Sequence, residues 1–148
     1  MKMNKKIPNP NGALKNIPPP SGTPLLVYNG GGRDEISTSA TTFSGIKVTP
    51  IQVVTIKEDM VAVIQFVVEC RVTLGHELKA RLMRTNEGSY PCLESTVVLT
   101  TSPKYETRGH MCAFGLPPGD HELYMEICVS GGTGYVRYRY FMVILLTI

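Results

Sequence analysis

The chain has 148 residues, of which 43% are hydrophobic and 18% charged, and its formal net charge at pH 7 is +3. This length and composition are those of one ordinary globular domain. The most apolar stretch, residues 141–148, is far shorter than the roughly 18–20 apolar residues that a membrane-spanning helix needs, which excludes such a helix.

Residues 1–24 differ from the rest of the chain. They contain six of the eleven prolines and no acidic residue, together with Lys2, Lys5, Lys6 and Lys15. Because this segment carries +4 and the whole chain +3, residues 25–148 carry −1. Proline removes backbone donors and disfavours helix in the residue before it. We therefore predict a flexible basic arm whose lysines bind an acidic surface, either an anionic membrane or a nucleic acid.

The remainder is predicted to be all-β. Residues 25–42 are expected to form a loop-rich connector, with one short edge strand at 25–28, and residues 43–148 the folded domain. Seven segments of this domain are strand-like: apolar and polar residues alternate most clearly at 60–74, 78–82 and 123–129, 93–100 is rich in Thr and Val, and 108–114 is weakly patterned. No convincing helical period occurs. The predicted strands are 46–57, 60–74, 78–82, 93–100, 108–114, 123–129 and 135–148.

Two of these segments indicate their place in the sheets. The first contains Pro50, which cannot donate to a ladder, so this strand is expected at an edge or to bend there. The last becomes apolar on both sides, as a central strand would. Seven short strands at this spacing predict an antiparallel β-sandwich or a small barrel.

The sequence offers no catalytic or metal-binding motif, and we expect neither an enzyme nor a cofactor. The cysteines, at positions 70, 92, 112 and 128, include no close pair, and no secretory signal precedes them. They are therefore expected to be reduced in an intracellular protein. His110 and Cys112 share a strand face, but a structural zinc site usually shows two short-spaced ligand pairs, and only this one is present. No small-molecule substrate is predicted.

Tyr90, Pro91 and Leu93 fit the YPxL pattern that recruits host membrane-scission machinery to budding viruses. The same residues also fit a turn that leads into a strand, and that alternative stays open. Either interpretation requires a loop before the strand at 93–100.

A basic arm, a proline-rich segment and a compact β-rich body together resemble the layout of matrix proteins of non-segmented negative-strand RNA viruses, of the rhabdovirus kind. The resemblance implies a structural protein that self-associates and bridges an anionic membrane and the nucleocapsid during assembly and budding. It implies a place in the host cytoplasm, at the membrane periphery and in the virion. Two alternatives remain: a capsid or single-strand nucleic-acid-binding protein, and a cytosolic immunoglobulin-like adaptor.

Overall fold

The computed structural model describes residues 24–43, 45–86 and 91–148, with side chains from residue 29 onward except at 86 and 91–95. These ranges contain nine strands. In chain order they are β1 (Pro24–Gly32), β2 (Ile36–Thr38), β3 (Gln52–Ile56), β4 (Met60–Val72), β5 (Leu78–Asn86), β6 (Pro91–Thr100), β7 (Glu106–Leu116), β8 (Gly119–Val129) and β9 (Gly134–Thr147). In the part of the chain that the structure describes, no helix is long and apolar enough to cross a membrane.

The strands form two antiparallel sheets. Sheet A has the order β1-β9-β4-β7, with β2 also paired to β9, and sheet B has the order β3-β8-β5-β6. Leaving aside the short β2, the chain passes from one sheet to the other at every step except β5 to β6. Eight strands wound between two four-stranded sheets in this way form a jelly-roll sandwich. The order differs from that of an immunoglobulin domain, so the immunoglobulin-like alternative is wrong in its topology.

The predicted all-β sandwich is therefore confirmed, and the barrel alternative is wrong because the two sheets are separate. The seven predicted strands correspond to β3–β9. As predicted, the strand that follows Pro50 lies at an edge, and β9 is central, between β1 and β4. The segment 25–42 contains β1 and β2, both hydrogen-bonded to β9. The glycines of β1 and the three-residue length of β2 weaken the sequence signal for these strands.

The core lies between the sheets and follows from the alternation along β4. Its even-numbered residues are buried and its odd-numbered residues half-buried over all thirteen positions. Phe66 of β4 lies opposite Phe141 of β9, and both are fully buried. Sheet B contributes fully buried Leu82 and Met125 from its own inner face. The hydrophobic contacts across the two sheets therefore centre on the β4–β9 pair.

The Phe66 side chain supplies the first prediction. Phe66→Ala removes a fully buried ring from the centre of the core and should lower the free energy of unfolding by about 3–5 kcal/mol. Val67→Ala, one residue along on the outer face, should cost less than about 1 kcal/mol. Urea denaturation in dilute solution measures both values, and equal losses would contradict this placement of the core.

Candidate self-association surface

The outer face of sheet A is apolar over most of its central part, with Gln65 as a polar residue among its apolar ones, although a sheet face that meets water is normally polar. Alternation along β4 directs Val61, Val63 and Val67 outward, and β9 places apolar residues directly beside them. Met111 on β7 is 65% exposed and Tyr140 on β9 is 43% exposed. We define the apolar face as Val61, Val63, Val67, Met111, Ala113, Tyr140, Met142, Ile144 and Leu146.

On the β7 side this face is recessed around Met111, because the neighbouring outward residues of the strand have small side chains or none. Gly109, Ala113 and Gly115 lie beside Val67, Val63 and Val61. A shallow depression of about 260 Å³ lies here, lined by Gln65, Phe66, Val67, Gly109, His110 and Met111. The exposed Met111 side chain therefore lies at the border of this depression.

Sheet B presents a different outer surface. Its outward positions include Lys79, Arg81, Glu122 and Glu126. Arg81 Nε donates to Glu126 Oε1 at 2.9 Å, and the Glu126 side chain is only 5% exposed. The outer face of sheet B therefore carries charged side chains beside exposed apolar ones such as Val53 and Val98, whereas the middle of the outer face of sheet A carries no charge among the described side chains.

Beyond the apolar face, the outer surface of sheet A ends in stacked arginine and tyrosine side chains. The Arg71 guanidinium lies 3.8 Å from the Tyr135 ring centroid, and that of Arg137 lies 3.6 Å from the Tyr105 centroid. Arg137 Nε also donates to Glu69 Oε1 at 2.7 Å. This Arg–Tyr stack, made of Arg71, Tyr105, Tyr135, Arg137 and Tyr138, closes one end of the apolar face.

A β-bulge separates the apolar face from the Arg–Tyr stack. Tyr138 has a φ of 50°, and the β4–β9 register shifts between Val67 and Glu69. Arg139 lies within the bulge, and its buried guanidinium donates to Asp34 Oδ1 at 2.8 Å. That hydrogen bond, helped by the arginine charge, holds the pKa of Asp34 below its usual value. The bulge thus turns one arginine toward the Arg–Tyr stack and the next toward β1.

Glycine makes the close approach of β1 to this arginine possible. A Cβ atom at Gly31 would overlap the carbonyl oxygen of Arg139. The run Gly30–Gly32 therefore belongs to a strand, although glycine runs are typical of turns. The second glycine-rich segment, 131–134, has the pattern of a hairpin turn, but it connects β8 of sheet B to β9 of sheet A, and these two strands do not pair. Gly132 in this connection has a φ of 66°.

The residues singled out from sequence lie mostly outside this surface. Lys2, Lys5, Lys6, Lys15 and Tyr90 lie outside the described residues. Pro91 and Leu93 are on β6, where their backbones pair with Thr85 and Arg84 of β5. Pro91 and Leu93 therefore belong to the strand itself, whereas the turn before it lies outside the described residues and the exposure of the motif stays a prediction.

The cysteines and histidines form no site among the described residues. Cys70 and Cys128 are free thiols, and burial raises the pKa of Cys70 to about 12, so its thiol stays protonated at neutral pH. No group of three or more His, Cys, Asp or Glu side chains within the described ranges could hold a metal ion. Cys92 lies outside the described side chains.

Sequence reasoning missed the apolar face, although a signal for it was present. Val61, Val63 and Val67 occupy odd positions of a strand whose even positions are also apolar. A strand that is apolar on both sides is typical of burial on both faces. In this sandwich only one face of β4 meets the other sheet, so the second is left at the surface.

No family model matches the sequence, and no curated protein is significantly similar to it. The structure is similar to solved jelly-roll proteins. The VP2 subviral particle protein of infectious bursal disease virus aligns with a TM-score of 0.61 and 13% identity over 84% of this chain and 33% of VP2. A chain of the T=1 particles derived from infectious bursal virus aligns with a TM-score of 0.55 and 15% identity, over 84% of this chain and 32% of that chain.

A second kind of protein shares this fold. The Eiger TNF of S. frugiperda aligns with a TM-score of 0.52 and 14% identity, over 85% of this chain and 94% of the Eiger chain. The chain thus spans nearly all of the TNF protein but only about a third of VP2. Identities this low show a shared fold.

The Asp34–Arg139 pair supplies a pH-dependent prediction. Since the pKa of Asp34 is lowered in the folded state, its contribution is complete above the unfolded pKa of about 3.9 and is lost as pH falls through the folded value. Asp34→Asn should therefore destabilise the protein at pH 7, and the difference from wild type should shrink below about pH 4. Thermal unfolding across pH measures this. Asp59→Asn, at an exposed aspartate between β3 and β4, is the control. An equal loss of stability in this variant would contradict a stabilising role of the Asp34–Arg139 pair.

Proposed function

We propose that this protein is a non-enzymatic structural protein that self-assembles, and that it is a capsid-type subunit. The observation that carries the proposal is the apolar face of sheet A. Three strands about 4.8 Å apart and seven residues long give this face roughly 300 Å². Exposed apolar patches of this size are often interaction sites, whereas singly exposed apolar residues are normal.

Charge distribution supports the choice of a second copy as the partner of this face. The middle of the apolar face has no charged residue, and at one end of it the outward side chains of the same sheet become charged, at Glu69, Arg71 and Arg137. An apolar centre with a polar rim is the usual anatomy of a protein–protein interface. A face of this kind is buried most simply against the same face of another copy, as in symmetric oligomers.

The similarity to VP2 supports a capsid-type role at the level of fold. VP2 of infectious bursal disease virus forms a subviral particle, and the second viral chain with this fold belongs to T=1 particles. The similarity covers 84% of this chain, which is most of its jelly-roll. Under this proposal the protein acts inside an infected cell and in the virion.

The basic arm completes the proposal. Lys2, Lys5, Lys6 and Lys15 would neutralise phosphates of a single-stranded nucleic acid enclosed by the assembled bodies, whose own charge is close to zero. The matrix-type interpretation assigns the same lysines to an anionic membrane and the nucleocapsid. It stays a prediction, as does recruitment of host budding machinery through Tyr90, Pro91 and Leu93, since the similar structures named above are capsid-type and TNF-type proteins.

A single charged substitution tests whether the apolar face mediates self-association. Val63→Lys places an ammonium group at its centre and should weaken self-association at least about tenfold, because burying an unpaired charge costs more than about 1.4 kcal/mol. Val53→Lys is the matched control, since Val53 is 54% exposed on β3 of the other sheet. Light scattering after size exclusion measures the oligomer, and far-UV circular dichroism checks the fold. A monomeric wild-type protein at all concentrations would contradict the proposal.

The arm can be tested by its salt dependence. With up to four phosphate contacts, binding of single-stranded RNA should fall with salt at a log–log slope of about −3. Substitution of all four arm lysines by Gln should bring that slope close to zero. The matched control replaces the four remaining lysines, Lys47, Lys57, Lys79 and Lys104, by Gln. Arm-dependent binding to anionic vesicles without RNA binding would favour the matrix-type interpretation instead.

A further inference from the structure

Strand β7 forms an unusually open edge of sheet A. It pairs with β4 over eleven consecutive residues, from Glu106 to Leu116, without a register shift. On its other side no strand among the described residues pairs with it. An edge strand of this length presents a row of backbone groups that can pair with another chain.

The features that normally protect an edge are missing from most of β7. Residues 109–116 contain no Asp, Glu, Lys, Arg or Pro. The other edges are interrupted: β1 and β6 contain Pro24 and Pro91 and show register shifts, and β3 is only five residues long and follows Pro50. Proline, charge, irregularity and short length are the means by which edges avoid pairing. β7 is therefore the described edge best suited to adding a strand.

A single hydrogen bond indicates which backbone groups of β7 face outward. Arg84 Nη1, from the opposite sheet, donates to the carbonyl oxygen of Gly115 at 2.9 Å. This carbonyl consequently points away from β4. Because backbone groups two residues apart point to the same side of a strand, those of Thr107, Gly109, Met111 and Ala113 point away from β4 as well. All of these residues are exposed.

We propose that β7 pairs antiparallel with β7 of a second copy of this chain, about a two-fold axis at Met111. The proposal rests on the self-assembly proposed above and names one of its contacts. In this register Met111 lies opposite its own symmetry mate and Gly109 opposite Ala113. About six backbone hydrogen bonds then join residues 109–113 of the two copies.

The shape of the edge favours a second copy as the occupant. Met111 is 65% exposed and stands beside the depression above Gly109. In the proposed register the partner's Met111 is the diagonal neighbour of Gly109, within reach of that depression. Each copy therefore offers both the protruding side chain and the hollow that receives it, which is the self-complementarity that a two-fold interface requires.

Pairing at this edge would also extend the apolar face. The two A sheets would become one continuous sheet, and the two apolar faces would join into a band of roughly 600 Å². A band of that size approaches the roughly 800 Å² per partner of a stable interface. The paired dimer would thus present a larger apolar surface to which further copies could bind.

Cysteine substitution tests the register directly. Residues in a hydrogen-bonded antiparallel pair have Cα atoms about 5.5 Å apart, which suits a disulfide. Met111→Cys in the full chain should therefore form a disulfide-linked dimer under mild oxidation, several-fold above the wild-type background from the native cysteines. Ala113→Cys is the matched control on the same strand and face, because its Cα would lie about 14 Å from its symmetry mate.

Mixing two further cysteine variants gives a second readout. It does not depend on whether the protein tolerates the Met111→Cys substitution. Gly109→Cys and Ala113→Cys proteins should cross-link when mixed and not when separate, because these positions face each other across the axis. Peptide mapping identifies the linked positions, and light scattering measures the oligomer.

The outcomes separate this proposal from the one on which it rests. Oligomers that show neither cross-link, or an Ala113→Cys protein that cross-links as well as Met111→Cys, would overturn β7 pairing and leave self-assembly standing. A protein that is monomeric at every concentration would overturn both. The proposal would also be overturned if the cysteine variants formed no dimer and cross-linked only to an added peptide, because the edge would then bind a different partner.

Discussion

The pairing of β4 with β9 is the interaction on which the rest of the structure depends. These two long central strands carry apolar side chains on both of their faces. On the inner side, Phe66 and Phe141 form the centre of the core. On the outer side, Val63 and Ile144 lie side by side at the surface. One strand pair therefore determines both what stabilises the domain and what it offers to other molecules.

The irregularity in this pair gives the outer surface its two parts. The bulge at Tyr138 lies where the apolar residues end and the Arg–Tyr stack begins. A bulge bends its strand and changes the direction of its side chains, so Arg137 and Arg139 reach different acidic partners, Glu69 and Asp34. The charges of Arg137 and Arg139 are thereby paired within the subunit. The apolar face and the open β7 edge are left as the surfaces suited to contacts between copies.

The agreement between pattern and structure differs from element to element for physical reasons. The period-two pattern of β4 was enough to place its buried face, because burial of alternate residues is what produces that pattern. The position of β9 followed in the same way from its apolar C-terminal half. β1 gave little signal because its glycines serve a close contact with Arg139, a residue more than a hundred positions away in the sequence. The candidate surface was missed because its residues come from three strands that only the sheet order brings together.

The sequence by itself determined the all-β class, the seven main strands, the core face of each regular strand and the separation of a basic arm from a nearly neutral body. These properties depend on local composition and on alternation, which can be read along the chain. Only the tertiary structure decided the jelly-roll order, the apolar middle of the outer face of sheet A, and the exposure of the β7 edge. They depend on which distant strands pair and which faces stay uncovered, and the alternation of residues is the same whichever neighbour a strand has.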